Sequence, residues 1–204
     1  MKREQAKIEL HKPQMSELLF FLLSGAIVSV PLTLFVEQYF ASPLLVGLSS
    51  FDITLITVAI FAPFIEEFSK AFPLFYRHGE TQRSIIKLAV FVGLGFGIVE
   101  FITYVGTFGP QIIVDRIPGL LFHPASTAIT AYGIATNKPF PYYMIAVSLH
   151  FANNFLAILA PVIIPSSVIV MAITVYAAWK FYERTKEKFI KTEHVICMSN
   201  EENS

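Results

Sequence analysis

The chain has 204 residues, of which 54% are hydrophobic and only 15% charged, with 15 basic side chains against 15 acidic ones. A mean hydropathy of +0.61 excludes intrinsic disorder and an ordinary water-soluble domain. Zero formal net charge, with the signs segregated along the chain, argues against nucleic acid as a partner, because that surface needs a basic excess on a wettable face.

Residues 1–15 hold Lys2, Arg3, Lys7 and Lys12 and are expected to form a cytoplasmic N-terminal segment. Six apolar segments follow, at about 16–36, 51–75, 84–106, 118–137, 140–160 and 163–180, each near the ~20 residues a helix needs to cross hydrocarbon. The expected fold class is all-α, a polytopic membrane helix bundle of about six transmembrane helices, with 16–180 as one domain. The first apolar run is longer than the core of a secretory signal and lacks a small-residue cleavage site, so it is expected to be retained. Pro31, Pro63 and Pro73 are placed to bend the first two spans. Residues 107–117 are too short to cross and are expected to form a loop or a short interfacial helix on the outer side, a candidate lid. A basic and then polar tail, 181–204, follows; Cys197 is the only cysteine, which excludes an internal disulfide and a cysteine metal cluster.

The basic residues set the expected orientation. Lys2 to Lys12 precede the first span; Arg77, Arg83 and Lys87 lie between the second and third; Lys138 lies between the fourth and fifth; Lys180 to Lys191 follow the sixth. The alternate loops hold no basic residue except Arg116. The positive-inside rule then places both termini in the cytoplasm of a multi-pass cell-membrane protein, with the basic tail against anionic headgroups of the bilayer.

Ionisable groups within such segments cost several kcal/mol unless they face one another or water, which makes them candidate functional residues. In the second span, FAPFIEEFSKAFP sets Glu66 and Lys70 four residues apart on one helical face, while Glu67 can meet Lys70 at three. One carboxylate can be neutralised by the lysine, leaving the other to hold a water. The third span, VFVGLGFGIVE, puts Phe96 and Glu100 on one face, and Gly93 and Gly97 allow a neighbouring helix to approach. GLGFG lacks the spacing and context of a dinucleotide fingerprint. In the fourth, His123 begins a narrow, hydroxyl-bearing stripe with Thr127 and Thr130. In the fifth, His150 and Asn154 share a face, suited to a base and an amide that steers a water or an oxyanion; Asn153 faces elsewhere.

Helical rise places Glu66 roughly 13 Å and His150 roughly 15 Å from the cytoplasmic ends of their spans, with Glu100 and Asn154 both at roughly 21–24 Å. His123 falls near the opposite boundary and joins this group only if its helix is tilted or preceded by a re-entrant stretch.

The ordered set EExxK (Glu66, Glu67, Lys70), FxxxE (Phe96, Glu100), His123 and HxxxN (His150, Asn154) resembles the PrsW branch of the CAAX-protease and bacteriocin-processing superfamily of intramembrane endopeptidases. The match spans about residues 60–156, the expected catalytic core. Relatives that process prenylated proteins place a histidine where Glu100 stands and an arginine after the paired glutamates, so the chain is closer to the PrsW type, associated with cleavage of membrane-bound anti-sigma factors. The resemblance implies a glutamate-activated water, a membrane-bound protein or peptide substrate, and a site with neither metal nor other cofactor; the sequence itself has no HExxH pair. Glu66 is expected nearest the water, with His150 or Asn154 at the oxyanion and Glu67 and Lys70 tuning the pair. Glu100 would orient a histidine or receive the amine-side proton. A small proton- or cation-coupled transporter or channel is the competing class, since the same acids and histidines can form an ion path. A non-catalytic membrane scaffold is the third.

Overall fold

The computed structural model describes residues 12–76, 81–159 and 164–185. Lys2, Arg3, Lys7, Arg77, Cys197 and the polar end of the tail lie outside the described residues, as do the expectations that rest on them.

The protein is an all-α bundle. Glu17 caps the start of α1 (Met15–Ser24) by accepting from the Gln14 N–H at 2.9 Å. The helix opens into a π stretch, Gly25–Ser29, and continues as α2 (Val30–Val36). The next helix repeats the pattern: α3 (Ser50–Thr54), a π stretch Leu55–Phe61, then α4 (Ala62–Ala71), tightening to 3-10 geometry over Phe72–Tyr76. Both π stretches end just before a proline, Pro31 or Pro63, whose ring clashes with the carbonyl four residues back and offers no N–H. Widening the preceding turn relieves that clash, so the helices continue through their prolines.

Thr81 caps α5 (Gln82–Phe108) by accepting from the Ser84 N–H at 3.1 Å, and Gly109 ends it at φ +88°, a left-handed value open to glycine. One 3-10 turn, Pro110–Ile112, leads straight into α6 (Ile113–Ala135). Of the two forms expected for 107–117, a loop or a short helix, the structure has mostly helix, continuous with α6. Pro118 marks no boundary and lies inside α6, where the carbonyl it leaves without a helical donor belongs to the exposed Val114. A tight turn through Asn137, at φ +57°, reverses the chain into α7 (Pro139–Leu159), and α8 is Ile164–Arg184.

Where they are described, all six predicted spans are mostly helical. Three helices, Met15–Phe40, Gln82–Phe108 and Pro139–Leu159, are long and apolar enough to cross a membrane among the described residues, which makes this a multi-pass membrane protein. Large apolar side chains such as Phe20, Ile27, Ile102, Leu121 and Trp179 are exposed, while Glu67, Lys70, His123 and His150 are buried. That distribution inverts a soluble domain and suits a lipid solvent. α6 is central, packed against α4, α5, α7 and α8. Gly25 and Gly95 let α1 and α5 touch by backbone: a Cβ at Gly25 would lie 2.0 Å from the Val92 carbonyl oxygen. The core of Phe21, Leu88, Val92, Ala128 and Ala131 forms one end of the α1–α5–α6 contact, and the polar site is farther along α5 and back along α6.

Candidate functional site

Four helices supply the polar residues: α4 gives Glu66, Glu67 and Lys70; α5 gives Phe96 and Glu100; α6 gives His123 and Ser126; α7 gives His150 and Asn154. Gly93 makes the α5–α6 approach possible, since a Cβ there would lie 2.5 Å from the His123 carbonyl oxygen.

Lys70 is the hub. Its ammonium, fully buried, donates to Glu67 Oε1 at 2.7 Å, to His123 Nδ1 at 3.0 Å and to Ser126 Oγ at 3.4 Å. An ammonium has three hydrogens and no acceptor, so this set uses all of them. Lys70 also stands 5.2 Å from the centre of the Phe96 ring, which lies 5.1 Å from the His123 ring. Sequence spacing leaves open which glutamate meets the lysine; it is Glu67, three residues away.

Glu67 Oε1 accepts twice more, from His150 Nδ1 at 2.8 Å and Ser126 Oγ at 3.0 Å. The hydrogen bonds then dictate the tautomers. His150, donating through Nδ1 to a carboxylate, keeps the Nε2 lone pair. His123, accepting at Nδ1 from an ammonium, carries its proton on Nε2 and donates it to Glu100 Oε2 at 2.6 Å. Two adjacent imidazoles, ring centres 5.5 Å apart, are thus held in opposite tautomers.

His150 Nε2 faces Glu66 Oε2 at 3.7 Å, beyond hydrogen-bond reach. Glu66 Oε2 and Glu67 Oε2 are both buried without a hydrogen-bond partner. Glu100 is the most open acid of the cluster, its side chain 26% exposed against 12% for Glu66 and none for Glu67.

Asn154 is not hydrogen-bonded to Glu100, although helical rise in the sequence sets the two at one depth. Its amide donates to the Val58 carbonyl at 2.9 Å, and its own oxygen accepts from Asn153 at 3.2 Å. The cause is local: Ala62 N–H bonds Thr57 O in the π register, so the next carbonyl, Val58, would need residue 63, a proline. Asn154 supplies the missing donor. Tyr143 adds a second tie from α7, donating to the Phe64 carbonyl at 2.7 Å.

His123 lies in the cluster, bonded to Lys70 and Glu100. α6 starts at Ile113, ten residues before it, and not at Pro118. Ser126 is the site residue that sequence reasoning missed; its signal was its place one turn after His123, on the face that looks into the bundle.

The bundle of membrane helices encloses buried acids and imidazoles, which together with the family assignment support a protease-like site. The chain belongs to the PrsW family: the family model described as PrsW family intramembrane metalloprotease matches residues 13–179. No curated protein and no solved structure matches the chain.

The family description implies a metal ion, and the donor set does not fit one. No group of three or more His, Cys, Asp or Glu is arranged to hold a metal among the described residues. Both ring nitrogens of His123 and Nδ1 of His150 are committed to neighbours, and the Lys70 ammonium sits among them. The oxygens left uncommitted on Glu66 and Glu67, together with His150 Nε2, are not gathered into the three-ligand set that a catalytic zinc takes.

Proposed function

We propose that the protein is a glutamic-type intramembrane endopeptidase that hydrolyses peptide bonds of membrane-associated proteins, within a bundle of about six spans whose termini are both cytoplasmic. The observation that carries this is that Glu66 Oε2, buried without a hydrogen-bond partner, faces His150 Nε2 at 3.7 Å. A water seated beside the pair, within reach of both atoms, donates a hydrogen to each.

Glu66 takes one proton as the water oxygen adds to the substrate carbonyl carbon, and the carbonyl electron pair moves onto oxygen. Glu67 keeps His150 in the tautomer whose Nε2 lone pair faces that water, and Lys70 holds Glu67 as the anion. One Asn154 hydrogen is committed to Val58, and the other serves the oxyanion. As the C–N bond breaks, Glu66 returns its proton to the leaving amine, giving a carboxylic acid and a free amine. Glu100 fixes His123, and through it Lys70, so their part is to position the network.

The test is cleavage of a single-pass reporter in proteoliposomes. Wild type should cut, and Glu66→Gln, matched for thermal stability, should lose about 100-fold or more. An uncut reporter with folded wild-type protein would reject proteolysis.

A further inference from the structure

On the side of α6 away from the acids, a crevice of 320 Å³ opens between α5, α6 and α8. Val90, Leu121, Ala125, Ala128, Val175 and Trp179 form walls that are almost wholly apolar, and the volume is on the scale of small-molecule sites. One end is different. Lys87 and Tyr182 stand there, and Arg83, one turn before Lys87, lies 5.1 Å from the centre of the Tyr182 ring.

Among the described residues, the charge at this mouth is unbalanced. Glu183 is taken by Lys180 at 2.9 Å, whereas Lys87 is exposed with no carboxylate in ion-pair range among the described residues. Arg83 donates through Nη2 to the Thr185 carbonyl at 3.3 Å, but its Nε is buried without an acceptor. Trp179 and Tyr182 are the amphipathic aromatics that settle at headgroup level. An apolar slot ending in unmatched cations and interfacial aromatics fits a molecule with a hydrocarbon chain and an anionic head.

We propose that this crevice binds an anionic phospholipid, its acyl chain along α5, α6 and α8 and its phosphate oxygens on Lys87 and Arg83. The site is separate from the acids, yet α6 joins them. Leu121, Pro124, Ala125 and Ala128 face the crevice, while His123 and Ser126 on the intervening positions face Lys70. A seated lipid therefore braces the helix that presents His123.

Trp179 is the only tryptophan of the chain and lines the crevice, so its fluorescence reports the occupant. The full chain is reconstituted in mixed phosphatidylcholine and phosphatidylglycerol vesicles, with brominated chains on one lipid or the other. Brominated phosphatidylglycerol should quench Trp179 with a relative association constant about fivefold above that of brominated phosphatidylcholine. Lys87→Gln should bring the ratio to unity and Lys87→Arg should keep it. Lys138→Gln, an exposed charge that does not line the crevice, should leave it unchanged. Equal quenching by both lipids in wild type would overturn the proposal. So would an equal loss of preference in Lys138→Gln, which would mean surface charge alone. Quenching by both lipids that falls as protein is added at fixed lipid would assign the crevice to a second copy of the chain.

Discussion

Glu66 and Glu67 are neighbours in sequence with opposite circumstances. Glu67 holds three donors on one oxygen, and its removal leaves the Lys70 charge buried without a counter-ion. Losing one partner of such a pair costs about 3–5 kcal/mol. Glu67→Gln should therefore lower the thermal unfolding temperature in detergent markedly, and Glu66→Gln, whose Oε2 bonds nothing, should barely move it. Equal unfolding temperatures would show that the network is not the support described. Spacing alone had assigned Glu67 the smaller part; the structure makes it the residue on which the tautomer of His150 rests. The donor set also predicts that a zinc chelator leaves cleavage unchanged. Loss of activity on chelation, restored by zinc, would mean that His123 abandons Lys70 and Glu100 for a metal.

At the scale of elements, the second helix and α7 are coupled through a defect. Pro63 costs Val58 its backbone donor, and Asn154 replaces it. Asn154→Ala should therefore destabilise by about 1–3 kcal/mol, the cost of an unsatisfied buried carbonyl. Pro63→Ala, which restores an N–H at that position, should recover much of the loss in the double variant. A double-mutant cycle on unfolding temperature checks this, and simply additive losses would contradict the assignment. If stability returns in the double variant while cleavage does not, the second Asn154 hydrogen acts at the oxyanion as well.

For the whole molecule, the distribution of basic residues predicts that the turn between α5 and α6 faces outward. With Cys197 replaced, Gln111→Cys should react with an impermeant thiol reagent added outside intact cells. Reaction only after permeabilisation would reverse the orientation. It would also turn the Lys87 and Arg83 end of the bundle to the opposite leaflet.

The six helical segments and the membrane setting are legible in the sequence, because apolar runs of that length have few other solvents and the backbone there must bond to itself. The candidate acids and histidines are legible for the same reason: an ionisable side chain in such a run is conspicuous. Spacing also shows that Lys70 can reach either glutamate, but only packing selects Glu67, because its oxygen must also meet Ser126 and His150 from two other helices. The sequence reading starts the fourth span at Pro118, whereas the helix begins at Ile113. Proline is compatible with the early turns of a helix, and whether one stops there depends on what the freed carbonyl faces, a tertiary fact. Asn154 gives the clearest division. Its face is fixed by the period of α7, but its partner is a carbonyl 96 residues away, orphaned by a proline in another helix. Local periodicity orients a side chain; only the folded bundle supplies what it meets.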